Sequence, residues 1–299
     1  MSTNYYKATY ILSLFIYGTI GLVLRYISLP VEFVVICRGI LGSLTMVIIT
    51  KLTGKKLDFK PFKKVGKWFV LSGVCLGFNW ITLFAAYKVT TVAIASLCNY
   101  MAPIIVIFLA ALLFKDKLKP ISIVCIFVAF VGIALVSGVT LDGIAGVNLK
   151  GVALGFMAAA GFTGMVLCNK KGGDVPVYEK AIIQLISASL TALPYFLINN
   201  WGSPLNFDLQ SVLLILLLGI VHSGITYTFY FGAITKIDVQ SFALLGYTEP
   251  IVSVLVSVII LHESMTALGI IGAVMVLGAA IVNELAQTKK DTEQETIKN

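Results

Sequence analysis

Ten long apolar runs constrain this chain more than any other feature. They fall near residues 8–24, 31–50, 68–87, 92–114, 120–138, 151–168, 181–198, 211–230, 239–261 and 266–284. A run of about 18 or more mostly uncharged residues is long enough to cross a bilayer as a helix. In hydrocarbon a lone span must satisfy its own backbone hydrogen bonds, so only helices and closed barrels cross. A barrel would show short alternating strands, and none is evident. The chain is 59% hydrophobic and 12% charged, against roughly a quarter charged in soluble domains. The expectation is an all-α integral membrane protein of about ten transmembrane helices, with no sizeable soluble domain. Residues 287–299 read as a polar tail with too few apolar side chains to pack.

The first run has no small-residue cleavage site and reads as a retained anchor. Cys37, Cys75, Cys98, Cys125 and Cys168 all fall in runs, are odd in number and lack metal-ligand spacing. They read as free, small, buried residues, and no metal or cofactor is expected.

The net charge of +8 is unevenly placed. With both termini cytoplasmic, the inner turns and tail hold 18 of the 22 basic residues, and Arg25, Lys88 and Lys150 lie outside. Arg38 falls within a run. This is the positive-inside pattern of a multi-pass protein. Nucleic-acid binding would need the lysines on one face with interleaved aromatics, and it is not expected. The segment from Lys51 to Lys67 reads first as a topology signal and second as a contact for anionic lipid. The predominance of lysine over arginine, with many isoleucines, favours a bacterial cell membrane.

Compared with itself, the chain shows a repeat. At an offset of 147, residues 84–116 align with 231–263 with seven identities. Tyr100 falls on Tyr247, Pro103 on Pro250, and Asp116 on Glu263; Glu32 also meets Glu179. The expected division is 1–147, 148–286 and the tail 287–299. Five spans per half is an odd number, so the second half enters the membrane inverted. Inverted repeats recur in secondary transporters, with the substrate near the midplane between them. Pro103 and Pro250 each remove a helix hydrogen bond, predicting a kink or a hinge in two equivalent helices.

Polar groups at membrane depth are costly and need a reason. Glu249, just before Pro250, reads as a binder of a substrate amine, a proton carrier or a structural acid at the kink. Arg38 reads as structural or as a holder of a substrate carboxylate. His222, Thr226 and Tyr230 share one helix face at i, i+4, i+8, with Tyr227 adjacent. Asn79 and Trp80 are the offset counterparts of Thr226 and Tyr227, giving two equivalent helices with polar–aromatic pairs. Asn99, Tyr100 and Tyr247 are further lining candidates, and Gln184 is a buried polar group near the counterpart of Arg38. Gly73-x-x-x-Gly77, Gly151-x-x-x-Gly155 and the glycines of the last run (Gly269, Gly272, Gly278) read as packing sites, the last set also suiting a second protomer.

These segments, Asn79-Trp80 through Pro103 to Lys115-Asp116 and Tyr227 through Tyr247-x-Glu249-Pro250 to His262-Glu263, with Arg38, resemble the drug/metabolite transporter superfamily, specifically its EamA-type members. Lys115-Asp116 departs from the Gly-Glu often found there in that family. The resemblance implies a cytoplasmic-membrane secondary carrier working by alternating access, often an exporter of amino acids or related metabolites, without an ATP site. No Gly-x-x-x-x-Gly-Lys-Ser/Thr loop occurs. An efflux carrier for cationic drugs is the alternative. Proton coupling, and a monomer or homodimer, both remain open. A membrane enzyme is disfavoured: after His262-Glu263 the position of a second zinc ligand holds Thr266. A channel is disfavoured because no filter-like loop occurs.

Overall fold

The computed structural model describes residues 3–106, 120–138, 148–200, 204–234 and 236–298. Among these residues there is helix and no strand. Lys115 and Asp116, the first-half partners of His262 and Glu263, lie outside the described residues.

Among the described residues, ten helical spans appear where about ten are expected. They are α1 (Asn4–Arg25), α2 (Val31–Leu52), α3 (Phe62–Val89), α4 (Val92–Val106), α5 (Pro120–Val136), α6 (Leu149–Gly172), α7 (Val177–Asn200) and α8 (Leu209–Ile234). Next comes α9, formed by Val239–Gly246, Thr248–Leu255 and Val256–Ile260, and then α10 (Ala267–Lys298). Six of the ten are long and apolar enough to cross a membrane, and α4, α5, α9 and α10 supply shorter apolar stretches. The backbone of α10 stays helical beyond the last apolar run, through most of the polar tail.

Besides the π-helical last stretch of α9, Val256–Ile260, the helices among the described residues depart from regularity at four places. α1 is interrupted at Thr19. α4 turns at Tyr100 and Met101, and α9 turns at Tyr247. The last two share a cause. Proline at 103 and 250 cannot donate to the carbonyls four residues back, those of Asn99 and Gly246, and the regular helices end at those residues. The fourth is in α8, where Leu217–Ile225 is π-helical; such bulges re-aim side chains and cluster at functional sites.

Polar side chains set the helix starts in two turns. Asp208 accepts from Ser211 N at 2.7 Å and from Ser28 Oγ at 2.5 Å, capping α8. The Ser28 bond, followed by that from Ser211, lowers its carboxyl to about 2. Asp238 caps α9 through Ser241 N at 2.8 Å, which lowers its carboxyl as well.

Packing between helices is reciprocal. α3 lies against α6 and α7, while α8 lies against α1 and α2; α4 packs on α6, and α9 on α1. α2 crosses α7, and α5 crosses α10. Shifting every helix by five maps this set onto itself. Small residues allow the approach. A Cβ on Gly73 would lie 2.7 Å from Gln184 O, and one on Gly77 would lie 2.7 Å from Ala188 O, both on α7. Gly132 and Gly272 meet backbone to backbone where α5 crosses α10, whereas Gly278 has open space around it.

Candidate substrate chamber

Arg38 sits at the junction of α2, α3 and α8, only 2% exposed. Its guanidinium carbon stands 4.0 Å from the centroid of the Trp80 ring and 5.4 Å from that of Phe84. Its Nε donates to Ser223 Oγ at 2.6 Å. Among the described residues it forms no ion pair, and no partner takes its terminal nitrogens. A guanidinium held flat on an indole and tethered by Nε keeps its outer fork free for a planar anion.

Glu249 faces the same space from α9. Tyr100 of α4 and Arg38 both lie within its electrostatic reach, and it forms no direct ion pair among the described residues. Its placement follows from the break in α9: Glu249 is two residues past the turn at Tyr247, in the first turn of the resumed helix. Gly18 of α1 packs here so closely that a Cβ would lie 2.9 Å from Glu249 O. At the equivalent position of α4 stands Ala102, so the acid belongs to one half only.

Aromatic rings wall the space. Tyr17 of α1 meets Tyr227 edge-on at 5.8 Å and Tyr230 at 6.1 Å. Tyr230 contacts Tyr10 at 5.5 Å, and Tyr10 stacks on Phe242 at 4.7 Å. Tyr17, Tyr100, Tyr227, Tyr230 and Glu249 lie between helices yet each retains accessible surface. Partial exposure of side chains set between helices marks the space among them as the candidate substrate chamber.

The candidates from the sequence separate into two sets. Arg38, Trp80, Tyr100, Tyr227, Tyr230 and Glu249 converge on the chamber. Asn79 turns instead to α6, donating through Nδ2 to Ala158 O at 2.7 Å and to Asn99 Oδ1 at 2.8 Å. His222 is turned to α1: its Nε2 is 3.0 Å from Thr19 Oγ1, and its Nδ1 is 3.3 Å from Leu217 O, five residues back. The π-helical backbone of Leu217–Ile225 changes the face expected from 3.6-residue spacing. Thr226 is buried with no hydrogen-bond partner for its hydroxyl. Tyr247 is buried at the turn of α9. Gln184 donates to Ser72 Oγ at 2.5 Å and to Asn169 Oδ1 at 2.9 Å, in a polar cluster joining α3, α6 and α7.

Tyr17 and Ser223 escaped the sequence reading. Tyr17 belongs to an aromatic-rich first run with no repeat partner of its type. Ser223 is next to His222, but only the π turn brings it to Arg38. The cysteines are free, and no cluster of metal-ligating residues occurs among the described residues.

One end of the bundle is tied together. Arg25 of α1 pairs with Glu263 and donates to Thr90 O at 2.7 Å. Glu263 also accepts from Val92 N at 2.7 Å and from Ser257 Oγ at 2.5 Å. His262 beside it has φ 52, uncommon for a residue with a Cβ. At the other end Lys7 lies 3.5 Å from Asp238 and donates to Ser241 Oγ at 2.7 Å.

The profile of the EamA-like transporter family matches this chain twice, over residues 8–138 and 149–284. An uncharacterized transporter of Bacillus subtilis is 23% identical over 253 residues, covering 83% of this chain and 79% of its own. An aromatic amino acid exporter of Ancylobacter novellus is 26% identical over 209 residues, covering 68% of this chain and 71% of its own. A solved crystal structure superposes with a TM-score of 0.64 at 21% identity, covering 95% of this chain and 99% of its own, a likeness of fold.

Proposed function

The chain belongs to the EamA-like transporter family, and from that premise we propose that it exports amino acids or closely related zwitterions by alternating access through the chamber between α1, α2, α3, α4, α8 and α9. It is a multi-pass membrane protein of a family of small-molecule transporters. The finer reading rests on one observation: Arg38 offers an open guanidinium fork, and Glu249 a carboxylate, on one aromatic-walled chamber without neutralising each other. A ligand with a carboxylate and an ammonium completes both charges, and the tyrosines accommodate an apolar side chain. The aromatic amino acid exporter among the relatives supports the same class.

In this reading both termini are cytoplasmic, the two five-helix halves are inverted in the cell membrane, and they exchange access around the chamber. The breaks in α4 and α9 supply the hinge positions. A carrier for cationic drugs fits less well, because Arg38 sits over the chamber and repels a lone cation. Uptake of L-phenylalanine, L-tryptophan, phenethylamine and 3-phenylpropionate into inside-out vesicles tests the proposal. The amino acids are expected to be transported in preference to compounds lacking either charge. Arg38→Gln is expected to weaken them about tenfold to a hundredfold, the equivalent of roughly 1.5–3 kcal/mol for a charge-assisted hydrogen bond. Preference for phenethylamine over the amino acids would overturn it. Unaltered pH dependence in Glu249→Gln would remove Glu249 as the proton carrier.

A further inference from the structure

Glu32 and Glu179, paired by the repeat, start α2 and α7, and the chamber uses neither. Their surroundings differ. On the Glu32 side, where α2 begins and α7 ends, Phe33 packs against Phe196 at 5.7 Å and Phe207 at 5.6 Å, filling the gap. On the Glu179 side, where α7 begins and α2 ends, a groove of about 420 Å³ stands open. Lys55, Lys56, Tyr178 and Glu179 line it, with Leu57 and Val177 as its apolar floor.

Glu179 is 5% exposed, yet one of its oxygens accepts a single bond, from Asp58 N at 2.7 Å. Among the described residues the other oxygen has no hydrogen-bond partner, and no lysine comes within ion-pair distance. That oxygen is not among the fully buried unpaired atoms, so it opens to the groove, available to a cation. Lys55 does not supply it, since its Nζ stands over the Tyr178 ring at 4.6 Å. Lys56, on the same wall, carries a separate positive charge.

The groove continues into the chamber wall. The Tyr178 hydroxyl reaches α8 so closely that a Cβ on Gly232 would lie 3.2 Å from it. Phe231, beside Gly232, contacts Tyr227 at 5.6 Å and Tyr230 at 5.2 Å. An aromatic path thus leads from Tyr178 to the tyrosines facing Arg38 and Glu249.

We infer that this groove is a vestibular binding site for small zwitterionic metabolites on the cytoplasmic side, with Glu179 receiving the ammonium and Lys56 the carboxylate. The inference deepens the proposed function and rests on it for the ligand class. The volume suits a small molecule, within the usual few hundred Å³ of ligand sites.

The test uses L-phenylalanine as probe with the full-length protein, in equilibrium binding and in vesicles of both orientations. Glu179→Gln keeps an acceptor for Asp58 N, so the fold-supporting bond survives. It is expected to raise the Kd of the groove-bound phenylalanine about tenfold and to leave the Glu249-dependent binding unchanged. Lys56→Gln is expected to act in the same direction. In Glu249→Gln a binding event is expected to persist and to disappear on adding Glu179→Gln. Binding unchanged by Glu179→Gln while transport is intact would overturn the groove alone. Glu179-dependent binding without transport by the wild-type protein would overturn the chamber reading and support the groove.

Discussion

Arg38 shows how much one side chain is asked to do in this chamber. Its charge is carried at membrane depth by the faces of Trp80 and Phe84 and by the Ser223 hydroxyl. Lysine keeps the charge but lacks the planar fork and the stacking face. Arg38→Lys is therefore expected to raise KM for a carboxylate-bearing substrate by about an order of magnitude, at near-normal membrane abundance. Kinetics in vesicles normalised to protein content check this, and unchanged KM would mean that charge alone suffices. The residue types were legible in the sequence: a lone arginine and a glutamate within apolar runs are conspicuous because they are costly there. Their mutual orientation was not, and neither was the diversion of Asn79 to Ala158 O or of His222 to Thr19.

At the scale of helices, the tight crossing of α3 over α7 depends on the absence of side chains at Gly73 and Gly77. Gly77→Ala places a methyl 2.7 Å from Ala188 O, a backbone atom that cannot turn aside. Overpacking of this kind costs about 1–3 kcal/mol. A lower melting temperature in detergent is expected, while Gly278→Ala, with nothing within 4 Å of its new methyl, is expected to melt as the wild type does. Equal melting of the two variants would show that α7 yields. The G-x-x-x-G spacing announced close contact, and the prolines announced the breaks in α4 and α9. The π segment of α8 left no such mark, because it contains no proline and its glycines fit an ordinary helix equally well.

For the whole molecule, the network around Glu263 joins α1, α4 and α9 at one end of the bundle. In an alternating-access cycle these groups must part for the chamber to open on that side. Glu263→Gln removes the charge that holds Arg25 and is expected to favour that opening. Ser96 of α4 is buried against α9, its hydroxyl 2.6 Å from that of Ser253, and labelling of Ser96→Cys by a membrane-impermeant maleimide, in a background without the native cysteines, reports the opening. Faster labelling in Glu263→Gln than in its parent is expected; equal rates would mean that the network does not limit opening. In proton-coupled or facilitative transport alike, this comparison reads the conformational balance rather than the substrate.

The sequence by itself determined the all-α class, about ten apolar runs and the positions of the proline breaks, and it carries the offset of 147 residues on which the division into two halves rests. Each of these depends on length, hydropathy or local backbone chemistry, which a linear chain carries openly. Only the tertiary structure decided which polar groups share a chamber and which are spent on packing. In lipid the outside of the bundle is as apolar as its core, so hydropathy gives little sign of a helix's inward face. The decisive neighbours are also far apart in sequence: Arg38 meets Ser223, and Thr19 meets His222. The same reason explains the two glutamates of the repeat. Glu32 and Glu179 are alike in position, and only the packing of Phe33, Phe196 and Phe207 on one side makes their surroundings differ.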